Sequence, residues 1–177
     1  MLAASARRCV QPGVHMSKLE FHDCLRRFFA PMYPDIDLET ITFREGLPFY
    51  VRGTPDAITV GKRIYFDAGK YDACSGRGIA LIAHELYHVH QGSGGPGIWF
   101  ARPFYLWYFI RKVASGWTKG RKHPLELPAY ERQDRVAAAY AAAIASSGRP
   151  GPCACTGGQP SHADQTFIDA FYEAYQS

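Results

Sequence analysis

A single α+β domain is the fold class this sequence predicts, with a small antiparallel sheet packed on a metal-binding helix and further helices around it. Three observations carry it. Segments of helical periodicity lie on both sides of a stretch, Thr40 to Phe66, that is rich in β-branched and aromatic residues. The order helix, strands, helices differs from the alternation of βαβ units. The 177 residues suffice for one domain with a sizeable core and are few for two.

The first helix is expected from Ser17-Lys18-Leu19-Glu20, a capping-box pattern, to about Phe29, where Pro31 and Pro34 stop it. Strands are expected at Ile41-Thr42-Phe43, Phe49-Tyr50-Val51, Ile58-Thr59-Val60 and Arg63-Ile64-Tyr65-Phe66. Gly61-Lys62 joins the last two as a tight hairpin turn of the kind that takes glycine first. Beyond Ser75, Ile79, Ile82, Leu86 and Val89 mark a second helix, ended by the glycine-rich run from Gly92 to Gly97. A third is expected over Trp99 to Ala114, and a fourth, rich in alanine, over Ala137 to Ser146. Residues 148–160 read as a flexible linker, and 161–177 as a terminal helix packing on the domain with Phe167, Ile168, Phe171, Tyr172 and Tyr175. Residues 1–16 read as a disordered tail, which leaves 17–147 as the body of the domain.

Composition narrows the function classes. Hydrophobic residues at 47% and charged residues at 20% exclude disorder over the whole length. No apolar run reaches the roughly 18 residues of a membrane span. Ile98 to Ile110 comes nearest and is interrupted by Arg102 and Pro103. This aromatic segment reads as a core helix, with peripheral membrane contact as the alternative. A net charge of +4 is mild and its basic residues are scattered, so no nucleic-acid partner is expected. Arg111, Lys112, Lys119, Arg121 and Lys122 read as a solvated face. The five cysteines are an odd number in a chain long enough to fold without staples, so free thiols in a reducing compartment are expected. Cys153 and Cys155 read as inert surface thiols, with a thiolate latch on a metal as the alternative. No apolar stretch follows Arg7 and Arg8, so the expected location is the cytoplasm, or outside the cell by a route without a classical signal peptide.

The chemistry lies in the second helix, Ala83-His84-Glu85-Leu86-Tyr87-His88-Val89-His90-Gln91. Four residues advance a helix by about 400°, so His84 and His88 share a face one turn apart and can reach one ion. Glu85 borders that face, placed to act on a water without being a ligand. Imidazole nitrogen suits Zn²⁺, and catalytic zinc takes three protein ligands. Glu126 is the favoured third, from Pro124-Leu125-Glu126-Leu127-Pro128-Ala129, with Glu131 as the alternative. His90 falls on another face and reads as a packed or surface residue.

With these residues the chain resembles the gluzincin-type HExxH zinc metallopeptidases, and looks closest to small bacterial zincin domains; thermolysin and the CAAX prenyl proteases are distant relatives. The resemblance covers Ile58 to Ala143. It implies a zincin-like fold whose hairpin supplies an edge strand for extended substrate, with His84, His88 and Glu126 as zinc ligands and Glu85 as general base. The implied activity is hydrolysis of peptide bonds in a polypeptide substrate. Tyr130 is the favoured donor to the oxyanion, with Tyr87 and His123 as alternatives. Two positions depart from the thermolysin pattern: Tyr130 stands where an aspartate partnering a ligand is usual, and Pro128 falls in the first turn of the ligand helix. A rival reading from another class is a catalytically silent zinc-binding module that holds a protein or membrane partner. The oligomeric state is open.

Overall fold

The computed structural model describes residues 17–49, 51, 55–92, 126–156 and 159–177. The expected helix Trp99 to Ala114, the basic cluster, His123, Cys9 and the tail 1–16 lie outside them. The described chain is α+β, as expected. Its strands are β1 (Ser17–Leu19), β2 (Thr42–Glu45), β3 (Ala57–Val60), β4 (Arg63–Phe66), β5 (Cys153–Thr156) and β6 (Gln159–Ala163). Its helices are α1 (Asp23–Phe29), α2 (Gly76–Gly92), α3 (Leu127–Ser147) and α4 (Gln165–Gln176).

Strands β1 to β4 form one sheet in the order β1-β2-β4-β3. The sheet is mixed where an antiparallel one was expected, because β2 runs parallel to β4. The β3–β4 hairpin does form, with Gly61 at a φ of +61°, the positive value that a primed turn demands of its first central residue. Phe49 and Val51 belong to no strand. The capping-box residues Ser17 to Leu19 are strand β1, paired with Phe43 to Glu45. The helix begins later, where the carbonyl of His22 accepts from the amides of Leu25 and Arg26. Asp23 in its first turn and Arg26 and Arg27 in its last then suit the helix dipole.

Helix α2 lies between β3 and α3. Its start is fixed by Ser75, whose hydroxyl accepts from the Gly78 amide at 3.2 Å. Gly78 is forced by a close approach, since a Cβ there would stand 1.7 Å from the carbonyl oxygen of Asp72. Helix α3 starts at Leu127, ten residues before the alanine-rich run, so Pro128 falls in the first turn, where its missing N–H costs no helical bond. Arg132 of α3 lies 5.5, 5.6 and 5.9 Å from the ring centres of Tyr33, Tyr87 and Tyr175, and donates to the Tyr175 hydroxyl at 2.6 Å. That cluster ties α3 to α2, to α4 and to the turn after α1. Burial pushes the Tyr33 phenol far above its ordinary pKa, and its O–H donates to the carbonyl of Ala83 at 2.6 Å.

Residues 148–160 correct two expectations. Strand β5 occupies much of the stretch read as a linker, and it pairs with β6 over residues read as the start of the last helix. That helix begins at Gln165, with the Asp164 carboxylate accepting from the amide of Phe167. The cysteines are also paired, Cys24 with Cys153 and Cys74 with Cys155. Neither a free surface thiol at 153 or 155 nor a thiolate latch therefore survives. The bridges close long loops, 129 and 81 residues in sequence separation. They fasten one short strand both to α1 and to the segment that leads into α2.

Two measurements check this packing. Replacing Cys74 and Cys155 together by Ala should lower unfolding stability by about 2–5 kcal/mol in urea. Reductant should do the same to the unmutated protein, and an unchanged midpoint would mean that the bridges do not form. Gly78→Ala should cost about 3 kcal/mol or more, read as a lowered Tm, because backbone must move to admit the methyl group.

Candidate metal centre

Two turns of α2 and the entrance to α3 converge on one point. Four polar side chains meet in the interior: His84 is 5% exposed, Glu85 3%, His88 7% and Glu126 7%. Apolar α2 neighbours Ile79, Ile82, Ala83, Leu86 and Val89 hold them there. Burial at this level is costly for ionisable groups unless they are paired or bind a cation.

The distances favour a cation. His84 Nε2 and His88 Nε2 are 3.1 Å apart, and Glu126 Oε2 lies 3.4 Å from the first and 3.5 Å from the second. In a tetrahedral zinc site with ligands at about 2.0–2.1 Å, any two ligand atoms are about 3.3–3.4 Å apart. The triangle has the size of one face of that tetrahedron. His84, His88 and Glu126 are the one group of this kind found among the described residues.

Hydrogen bonds orient the rings. His88 Nδ1 is 2.8 Å from Gln91 Oε1, an oxygen that can only accept, so Nδ1 carries the proton and Nε2 keeps its lone pair for a metal. His84 Nδ1 is fully enclosed with no hydrogen-bond partner among the described residues. Burial alone would lower the pKa of His88, but its contact with Glu126 and the nearby carboxylates of Glu85 and Glu126 raise it above the ordinary histidine value. A group so held competes with metal for the same lone pair as the solution becomes acidic.

The remaining expected residues fall into place around this face. Tyr130 stands edge-on to His84 with ring centres 4.6 Å apart, beside the triad. Glu131 is exposed on α3 and outside the triad, whose third member is Glu126. Tyr87 packs under Arg132, and His90 packs against Tyr33 and Tyr87 at 6.5 and 5.8 Å between ring centres. Glu85 is placed by a residue that the reading of the sequence passed over: Thr59 of β3 donates from Oγ1 to Glu85 Oε2 at 2.7 Å. The sequence carried no signal for it, because alternation in Ala57-Ile58-Thr59-Val60 turns Thr59 outward.

Residues 49–96 match the model of the eCIS core domain family. No curated protein and no solved structure matches the chain. The eCIS core match covers β3, β4 and α2, and so includes Thr59, His84, Glu85 and His88. Glu126 and Tyr130 lie beyond the eCIS core stretch and join the site only through the fold.

Elemental analysis should find one zinc per chain after reconstitution. His88→Ala and Glu126→Ala should lose it, while Glu131→Ala retains it. Gln91→Ala should weaken zinc affinity about 10- to 100-fold, by freeing the His88 ring. Zinc kept by the Glu126 variant would remove Glu126 from the ligand set.

Proposed function

We propose that this protein is a zinc-dependent peptidase of the gluzincin kind, with His84, His88 and Glu126 as ligands and Glu85 as general base. The carrying observation is the buried triangle of two Nε2 atoms and one carboxylate oxygen, with sides of 3.1, 3.4 and 3.5 Å, beside a second carboxylate that is not part of it. A site that only stored metal would have no use for that second carboxylate.

Zinc bound there would act as a Lewis acid on a water and on the scissile carbonyl. The chain's own residues supply the rest. Glu85 takes the proton of the attacking water on its carboxylate and returns it to the nitrogen of the leaving amine. The Tyr130 hydroxyl, on the α3 side of the triad, donates to the oxygen that becomes negative when the carbonyl is attacked. Among the described residues strand β3 is the last of its sheet, and its outer edge can pair with an extended polypeptide next to Glu85. The two disulfides support work in an oxidising setting, which favours the exported alternative over the cytoplasm.

Glu85→Gln separates this reading from a silent zinc-binding module. Cleavage of a peptide library should fall by about 10²- to 10⁴-fold, with zinc stoichiometry unchanged. Tyr130→Phe should lower kcat by about 10- to 100-fold and leave zinc in place. A zinc-loaded wild type that cleaves nothing, and a Glu85 variant indistinguishable from it, would overturn the peptidase reading.

A further inference from the structure

Strand β3 has its hydrophobic alternation reversed. In Ala57-Ile58-Thr59-Val60 the ordinary expectation for a half-buried strand is Ile58 and Val60 inward and Thr59 outward. The structure has the opposite, with Thr59 6% exposed and Val60 39% exposed. Pairing with β4 sets this register. Thr59 stands opposite Ile64, and Ala57 opposite Phe66, and both β4 partners are fully buried. A slip of one residue would turn Ile58 and Val60 inward and Thr59, with the small Ala57, out to solvent. The fold gives up that burial and takes a hydroxyl into the core.

The hydroxyl has a single task in its surroundings. Thr59 Oγ1 lies 2.7 Å from Glu85 Oε2 and 3.1 Å from the main-chain carbonyl oxygen of the same residue. Glu85 is on α2, so the single hydroxyl hydrogen of this sheet residue, nearer the carboxylate than the carbonyl, ties one residue of α2 to the strand. No other described residue donates to the Glu85 carboxylate, and no Lys or Arg among them pairs with it. A glutamate side chain has three rotatable bonds, and a single anchored oxygen removes most of that freedom. The second oxygen, Oε1, accepts from no described residue and stays available for a water or ligand.

From this geometry we infer that Thr59 is the positioning residue of Glu85: its hydroxyl fixes the carboxylate beside the triad from the neighbouring strand. The role of Glu85 toward substrate rests on the peptidase reading; the coupling of the two side chains does not.

Acetohydroxamate tests it without any turnover. Its two oxygens chelate a metal, and its remaining polar hydrogen needs an acceptor such as a carboxylate held at a fixed place next to the ion. On the zinc-loaded full chain, Thr59→Val should weaken acetohydroxamate binding about tenfold, as expected for loss of a hydrogen bond to a charged group. Thr59→Ser should bind as the wild type does, and zinc affinity should change less than about twofold in both variants. In a Glu85→Ala background, Thr59→Val should have no further effect on the probe. Thr59→Ala serves the same comparison if the valine variant does not fold. Equal weakening with and without the Glu85 carboxylate, loss of zinc in step with loss of the probe, or failure of serine to restore binding would each overturn the assignment. Coupling in probe binding without cleavage of any library peptide would sink the peptidase reading and leave this one standing. Cleavage without coupling would do the reverse.

Discussion

Everything in this fold is arranged around a conflict inside α2: the helix must be buried to pack the domain, yet it carries two histidines and a glutamate on what becomes an interior face. Burying them without compensation would cost several kcal/mol per ionised group. The conflict is resolved locally. Gln91 satisfies His88 one turn on, Thr59 satisfies Glu85 from the sheet, and Glu126 brings a carboxylate to both imidazoles. What is left over is a cluster of lone pairs with the spacing of a zinc coordination face. A cation is the natural completion.

That completion depends on where α3 begins. Glu126 immediately precedes the first helical residue, and its carbonyl accepts from the amide of Tyr130 at 2.9 Å. Glu126 and the edge-on Tyr130 are thus one turn apart on the same element. Pro128, a breaker in mid-helix, is harmless in this first turn and holds φ near its helical value. Farther along α3, Arg132 sits among tyrosines from three other segments, and this packing holds α3 against α2 beyond the triad.

Local chemistry explains what could be read from the sequence. The spacing of His84 and His88, the edge position of Glu85 and the hairpin at Gly61 all follow from periods of a few residues, and all three are found as read. Glu126 was legible from its own short context. The failures have the opposite character. Ser17 to Leu19 has a capping signature, but pairing with β2, more than twenty residues away, wins over it. The C-terminal cysteines sit among glycines and prolines that suggest a linker, and nothing near them reveals partners 129 and 81 residues back. Thr59 was passed over because an alternating strand normally turns its threonine to solvent.

These long-range links also divide the labour of holding the site. The disulfides act on two joints, α1 to β5 and the approach to α2 to β5, and neither touches the joint between α2 and α3. The joint between α2 and α3 is spanned by the triad itself, with two of its side chains on one helix and one at the head of the other. A metal that binds only the folded arrangement adds stability in proportion to the logarithm of its concentration over its dissociation constant. The bridges constrain the unfolded chain instead, and do so at any metal concentration. Cross-links and a metal at the triad would therefore not be redundant: the first hold the entrance of α2 against the C-terminal hairpin, and the second would close α2 on α3.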